Sequence, residues 1–262
     1  MPTPNKSETA MKLSPCLEMF FRELPFVDRI AAVADAGYTA GEFWGHQNKD
    51  LPAIAKAAAA HGLTITSLTA SGNLVNADEH EKAVTDLQAA IEAAKVVNCE
   101  RLIVLSGNVI PGLTHCGHVK NCIEGLKRLA PIAAAAGVTL VIELLNSKVN
   151  HWGYFLDNSE DMAAILRGVD HPNVKGLYDI YHAGIMEGNI VEKIRTNIDI
   201  IGHFHAAGIP GRNEMKTGEQ NYPFICQEID KLGFDGWLGL EYSPLKPSTE
   251  SLIETRTWLE QS

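Results

Sequence analysis

No stretch of this sequence approaches the roughly 20 consecutive apolar residues that a bilayer-spanning helix needs, which excludes such a segment. The opening decapeptide, MPTPNKSETA, lacks the apolar core of a secretory signal and reads as a polar tail, residues 1–10, ahead of Met11. Basic residues are in deficit: 22 Lys and Arg stand against 32 Asp and Glu, a formal charge of −10. That balance repels phosphate backbones and anionic lipid, so neither nucleic acid nor a membrane surface is an expected partner. Cysteine is scarce. Cys16, Cys99, Cys116, Cys122 and Cys226 are odd in number and include no CxxC pair. Without an export signal they point to reduced thiols in a cytoplasmic protein, acting as small buried side chains. Also missing is a GxGxxG after the first apolar run, the phosphate-binding signature of a doubly wound dinucleotide sheet. No low-complexity linker or shift in composition divides the chain, so residues 11–262 read as one domain.

What is present is a repeat of strand and helix. At 45% hydrophobic and 21% charged residues, the 262-residue chain has globular composition. Short β-type runs occur at Leu13–Leu17, Tyr38–Phe43, Leu63–Leu68, Leu102–Leu105, Thr139–Leu144, Val174–Tyr178, Ile200–Phe204 and Trp237–Leu240. Helical patterns lie between them, among them PFVDRIAAVADAG, LPAIAKAAAAHG, HEKAVTDLQAAIEAAKVVN and GLKRLAPIAAAAG. Gly37, Gly62, Asn98, Gly137 and Gly233 stand where left-handed helix caps belong. Asp157-Asn158-Ser159 offers side-chain caps to a helix running to Arg167, and a last helix is expected over roughly Thr249–Leu259. Strands alternating with helices imply parallel pairing through right-handed crossovers. Eight such units in about 250 residues favour a closed α/β barrel, the single (β/α)8 TIM barrel, over an open sheet.

In that fold the chemistry sits at the carboxyl ends of the strands. The fifth strand ends TLVIE, placing Glu143, and the sixth ends GLYD, placing Asp179. The seventh ends GHFH, placing His205, and the eighth ends LGLE, placing Glu241. Singly, each could cap a helix or pair with a neighbouring Lys or Arg. Four in register, three of them buried carboxylates that would each cost several kcal/mol uncompensated, point to a bound divalent cation. Three oxygen donors with one imidazole suit Mn²⁺, Mg²⁺ or Co²⁺, with Zn²⁺ also open. His182, three residues beyond Asp179, can lean over the same rim. Arg212, in the loop HAAGIPGRNE, carries a planar fork suited to a carboxylate or vicinal hydroxyls. A second cluster, His115-Cys116-Gly117-His118 with Cys122, matches no zinc spacing and is not expected to bind a metal. Glu18, Glu42, Trp44, His46 and Asn73 are candidate walls of the site or ordinary surface.

The segments YDIYH…MEGN, IGHFHAAGIPGR, GEQNYPF and GWLGLEYSP resemble the second half of the hydroxypyruvate isomerase family. That family belongs to the xylose-isomerase-like TIM barrels, together with the ketose 3-epimerases. The resemblance spans nearly the full length from Met11, with its specific motifs between Glu143 and Pro244. It implies that Glu143, Asp179, His205 and Glu241 are metal ligands, that Glu143 and Glu241 move the proton, and that His182 and Arg212 contact substrate. Two departures stand out. GHFH places His205 where those isomerases usually read HxQ, and TASGNLVNADEHEKA lacks the Arg of their loop after the third strand. HAAGIPGR likewise lacks the Glu of the epimerases' HxHxGE.

The implied activity is isomerisation of a small sugar or keto acid through an enediolate, hydroxypyruvate to 2-hydroxy-3-oxopropanoate first. A ketose 3-epimerase and a 2-oxotetronate isomerase are the alternatives, because proton return to the neighbouring or the same carbon needs the same groups. A metal-dependent nuclease of the apurinic-endonuclease type shares the fold, but would want a basic groove and further His ligands. A barrel used only for binding would lose nothing on chelation. The resemblance further leaves room for pairing of chains into a homo-oligomer.

Overall fold

The computed structural model describes residues 11–261; the polar tail lies outside the described residues. Eight staves follow one another: β1 (Lys12–Pro15), β2 (Ala40–Gly41), β3 (Thr64–Ile65, resuming as Leu68–Ser71), β4 (Arg101–Val104), β5 (Thr139–Glu143), β6 (Val174–Asp179), β7 (Ile201–Ala206) and β8 (Trp237–Leu240). All pairings between them are parallel. The sheet runs from β1 through β8, β7, β6, β5 and β4 to the second half of β3, while β2 pairs with the first half of β3. A bridge between Cys16 and Glu42 joins β2 back to β1. There Glu42 N donates to Pro15 O at 3.0 Å and Leu17 N to Glu42 O at 2.8 Å, which closes the barrel.

The expected strands are found, with one interruption. The run Leu63–Leu68 breaks at Thr66-Ser67 and resumes at its last residue, continuing to Ser71 beyond the stretch that the hydropathy pattern marked. Successive side chains of a strand point to opposite faces, yet Thr66 Oγ1 and Ser67 Oγ both donate to Glu42 Oε2, at 3.2 and 3.1 Å. Both can reach one carboxylate only where the pleat is broken. β2 is likewise shorter than the run Tyr38–Phe43 suggests.

Helices α1 (Asp28–Asp35), α2 (Leu51–His61), α3 (His80–Val97), α4 (His115–Ala135), α5 (Ser159–Val169), α6 (Ile180–Met186), α7 (Ile190–Asn197), α8 (Tyr222–Lys231) and α9 (Ser248–Glu260) surround the staves. Among the described residues β6 is therefore followed by two helices rather than one. Gly37, Gly62, Asn98, Gly137 and Gly233 all take positive φ, as expected of helix-ending residues. Asn158 caps α5 by accepting from Asp161 N. α4 starts at His115, ahead of the apolar pattern, because Thr114 accepts from Gly117 N and caps it there.

Alternation along the staves sorts the side chains. Leu140, Ile142, Tyr178, Phe204, Leu238 and Leu240 join the large core between sheet and helices. Full burial of each such side chain contributes about 1.5–3 kcal/mol. Ile103, Val141 and Leu177 form a separate small cluster. Two residues beyond Val141 and Leu177, on the same face of their strands, stand Glu143 and Asp179. Apolar filling inside the barrel thus gives way, one layer up, to the polar site.

Candidate active site

Register brings the four strand-end residues together. Asp179 pairs with His205 across β6 and β7, and Glu143 pairs with Leu177 of β6. His205 Nδ1 lies 3.1 Å from Glu143 Oε1, 3.3 Å from Glu241 Oε2 and 3.9 Å from Asp179 Oδ2. One ligand atom from each of Glu143, Asp179, His205 and Glu241 falls within 4.8 Å of all the others, and all four residues are buried. Three carboxylates around one imidazole are more negative charge than His205 and the adjacent Arg212 can offset. The hard oxygen donors and single nitrogen fit a divalent cation.

The electrostatics are uneven. Burial pushes the Glu143 carboxyl up to about 7 and that of Asp179 up to about 6. Glu241 is equally buried, but Arg212 and His205 outweigh desolvation and hold it at about 2. Arg212 Nη2 donates to Glu241 Oε2 at 2.6 Å and its Nε to the Glu241 carbonyl at 3.2 Å. Trp44 Nε1 donates to Glu241 Oε1 at 2.5 Å. Burial opposes the charged form of His205, yet Glu42 and Glu241 outweigh it and raise its pKa well above the ordinary value.

His182 is buried beside this set. Its Nδ1 accepts from Asn146 N at 3.0 Å. The hydrogen therefore sits on Nε2, which lies 3.5 Å from Asp179 Oδ2 and has no hydrogen-bond partner among the described residues. Burial drives the His182 pKa down to about 2, so the ring stays neutral. Asp179 Oδ1 in turn accepts from His182 N at 3.0 Å, capping α6. Arg212 adopts a left-handed conformation (φ +57°) just after the cis Ile209–Pro210 bond. Bonds from Arg212 N to Gly208 O (2.9 Å) and from Ser243 N to Arg212 O (2.8 Å) hold it there. Its guanidinium lies 5.5 Å from the centre of the Tyr181 ring.

The other sequence candidates fall into place unevenly. Glu42 is buried beneath the site, against His203 and His205, rather than forming a wall. Glu18 ties the loop after β2, accepting from Trp44 N and pairing with Lys49 Nζ at 2.8 Å. Asn73 is turned to Glu79 Oε1 at 2.6 Å, which makes it a loop support. His46, N-terminal to Lys49, is half-buried, its Nδ1 without a partner among the described residues. The His115–Cys122 cluster is dispersed: His115 pairs with Asp161 at 2.8 Å, and His118 stacks on Phe155 and accepts from Ile110 N. Cys116 is exposed and the other four cysteines are buried. Burial pushes the Cys99 thiol up to about 11 and those of Cys122 and Cys226 up to about 12. Sequence reasoning missed His151, whose ring lies 5.2 Å from that of His182, and His203. The HxH spacing of GHFH, which puts both rings on one face of a strand, was the available signal for His203.

Comparison with known proteins bears on this geometry. The family described as xylose isomerase-like TIM barrel matches residues 30–262. A 2-oxo-tetronate isomerase of Pectobacterium atrosepticum is 33% identical over 259 residues, 95% of this chain and 98% of that one. A Danio rerio protein provisionally named hydroxypyruvate isomerase is 32% identical over 264 residues, 95% of this chain and 94% of its own. A Brucella melitensis crystal structure titled AP endonuclease, family 2 superposes with a TM-score of 0.89 at 26% identity, covering 95% of this chain and 99% of that one. With its closed barrel, its buried acidic rim and relatives named as isomerases along almost their whole length, the chain is an enzyme of the isomerase class and belongs to the xylose isomerase-like TIM barrel family.

Proposed function

We propose that this enzyme isomerises a short 2-oxo acid with a neighbouring hydroxyl, hydroxypyruvate or a 2-oxotetronate, with the help of a divalent cation. The observation that carries the reading is the convergence of Glu143, Asp179 and Glu241 on His205 Nδ1 in a fully buried site. The relatives named for these two substrates support the choice of a keto acid over a free ketose. Glu143, Asp179, His205 and Glu241 would hold the cation, Mn²⁺, Mg²⁺ or Co²⁺ before Zn²⁺. When bound it supplies electrophilic stabilisation of negative charge on the substrate oxygens.

The remaining steps belong to the chain's own groups. One of Glu143 and Glu241 takes the proton from the hydroxyl-bearing carbon, whose electron pair becomes the double bond of an enediolate. A carboxyl then returns a proton to the former carbonyl carbon, while the hydroxyl proton passes to the other oxygen. The product is the isomer with its carbonyl on the neighbouring carbon, an aldehyde from hydroxypyruvate and a 3-oxo acid from a 2-oxotetronate, with no change in composition. His182 donates its free Nε2–H to a substrate oxygen. Arg212 has five donors, of which the Glu241 contacts use two, and the rest of the fork orients the substrate carboxylate.

The test is a panel of hydroxypyruvate, 2-oxotetronates and free ketoses in D₂O with Mn²⁺ or Mg²⁺. Deuterium entering hydroxypyruvate or a 2-oxotetronate is expected. Exchange confined to free ketoses would turn the reading into a 3-epimerase. Cation-dependent cleavage of duplex DNA at an abasic site, without exchange in any carbonyl compound, would replace it with the chemistry named for the Brucella structure.

A further inference from the structure

Below the four strand-end residues lies a further buried carboxylate that the proposed reaction does not use. Glu42 is 2% exposed. Its Oε2 lies 2.9 Å from His203 Nε2 and accepts from Thr66 Oγ1 and Ser67 Oγ, while its Oε1 lies 3.0 Å from His205 Nε2, a close charge contact off the hydrogen-bond line. Groups from β3 and β7 thus converge on one side chain at the end of β2. Stave β8 makes room for it: a Cβ on Gly239 would overlap both Glu42 Oε1 and the His205 ring.

Both nitrogens of His205 face carboxylates, Nε2 that of Glu42 and Nδ1 those of Glu143, Asp179 and Glu241. A neutral imidazole carries one hydrogen; a cation shared with the latter three would take the Nδ1 lone pair, which leaves the hydrogen on Nε2, where the charge of Glu42 favours it. We propose that Glu42 is a positioning residue, which holds His205 as the Nε2–H tautomer with its ring locked so that Nδ1 is presented as a ligand. His203, Thr66 and Ser67 fix Glu42 in turn, and Gly239 keeps the space open. The inference rests on the cation site of the proposed function and adds to it a carboxylate outside the ligand set.

The experiment is Mn²⁺ binding to the full chain, read from the resonance of unbound Mn²⁺ and from calorimetry, with the melting temperature of each metal-free variant recording the fold. Glu42→Gln can offer an amide hydrogen to Nε2 and so favours the wrong tautomer. It is expected to lower Mn²⁺ affinity about 10–100-fold, the usual cost of losing such a partner. Glu42→Asp, which keeps the charge, should recover part of that loss. Gly239→Ala, which touches no ligand atom except through Glu42 and the ring, should lower affinity in the same direction. Unchanged affinity in folded Glu42→Gln overturns the proposal. Should the variants fail to fold, long-range ¹H–¹⁵N spectra of the wild type with Zn²⁺ decide it. An Nε2–H tautomer at His205 is expected, and an Nδ1–H tautomer overturns it. Failure of the cation reading itself is distinguishable, because the wild type would then bind no Mn²⁺ at all.

Discussion

Glu143 and Glu241 are the same residue type on the same rim, and their neighbours make them different. Glu241 receives Arg212 and Trp44 as well as His205, whereas among the described residues the carboxylate of Glu143 has His205 alone. Removing either carboxylate as Glu143→Gln or Glu241→Gln is expected to lower turnover about 10²–10⁴-fold while the melting temperature is kept. Steady-state rates beside thermal unfolding curves check this, and near-normal turnover in either variant contradicts the assigned roles. Trp44→Phe keeps the ring but deletes the hydrogen bond to Glu241. One charge-assisted bond of about 1.5 kcal/mol corresponds to about a tenfold loss in kcat/KM, measurable with whichever substrate exchanges deuterium. Legibility at this scale follows strand position. Glu143, Asp179, His205 and Glu241 could be read because each ends an apolar run. The contact of Glu42 with His203 and His205 could not, because it crosses the barrel and leaves no spacing in the chain.

At the scale of elements, the loop after β7 matters most. Gly208 N donates to Asn213 O at 2.7 Å, and a Cβ on Gly208 would come within 2.5 Å of the Glu214 carbonyl oxygen. Backbone cannot yield as a flexible side chain can. Gly208→Ala is therefore expected to cost about 1–3 kcal/mol and to displace Arg212, lowering kcat/KM together with stability; urea unfolding and kinetics on one preparation check both. Asn158→Ala removes the cap of α5, away from the site, and should cost about 1 kcal/mol by urea unfolding with activity unchanged. Caps such as Asn158 and Asn98 were visible because capping is local chemistry. The break in β3 was not, since its cause, the Glu42 carboxylate, is supplied by another stave.

For the whole molecule, the buried acid layer ties stability to pH and, on the proposed function, to the cation. Burial raises the folded-state pKa of Glu143 to about 7 and of Asp179 to about 6. The stability these two groups contribute is therefore present below their unfolded values of 4.5 and 3.8 and is lost as pH rises toward 7. A cation held by these residues would compete with protons for the same oxygens, so its binding should strengthen over that window. At 100-fold excess over its Kd a ligand adds about 2.7 kcal/mol, several degrees in melting temperature for a chain of this size. The Mn²⁺-induced rise in melting temperature should be small at pH 5.5, larger at pH 8 and abolished by EDTA. A rise independent of pH would contradict the assignment of Glu143 and Asp179 as its ligands.

The sequence by itself determined the eight strand–helix units, the parallel barrel and the residue types at the ends of its last four staves. Those follow from hydropathy period, capping chemistry and strand polarity, all of which act over a few neighbouring residues. Only the tertiary structure decided which of those groups touch, how Arg212 and Trp44 distinguish Glu241 from Glu143, and that Glu42 faces inward beneath His205. Closing the barrel sets those relations, because it brings residues far apart in the chain within hydrogen-bonding distance in a space from which water is excluded.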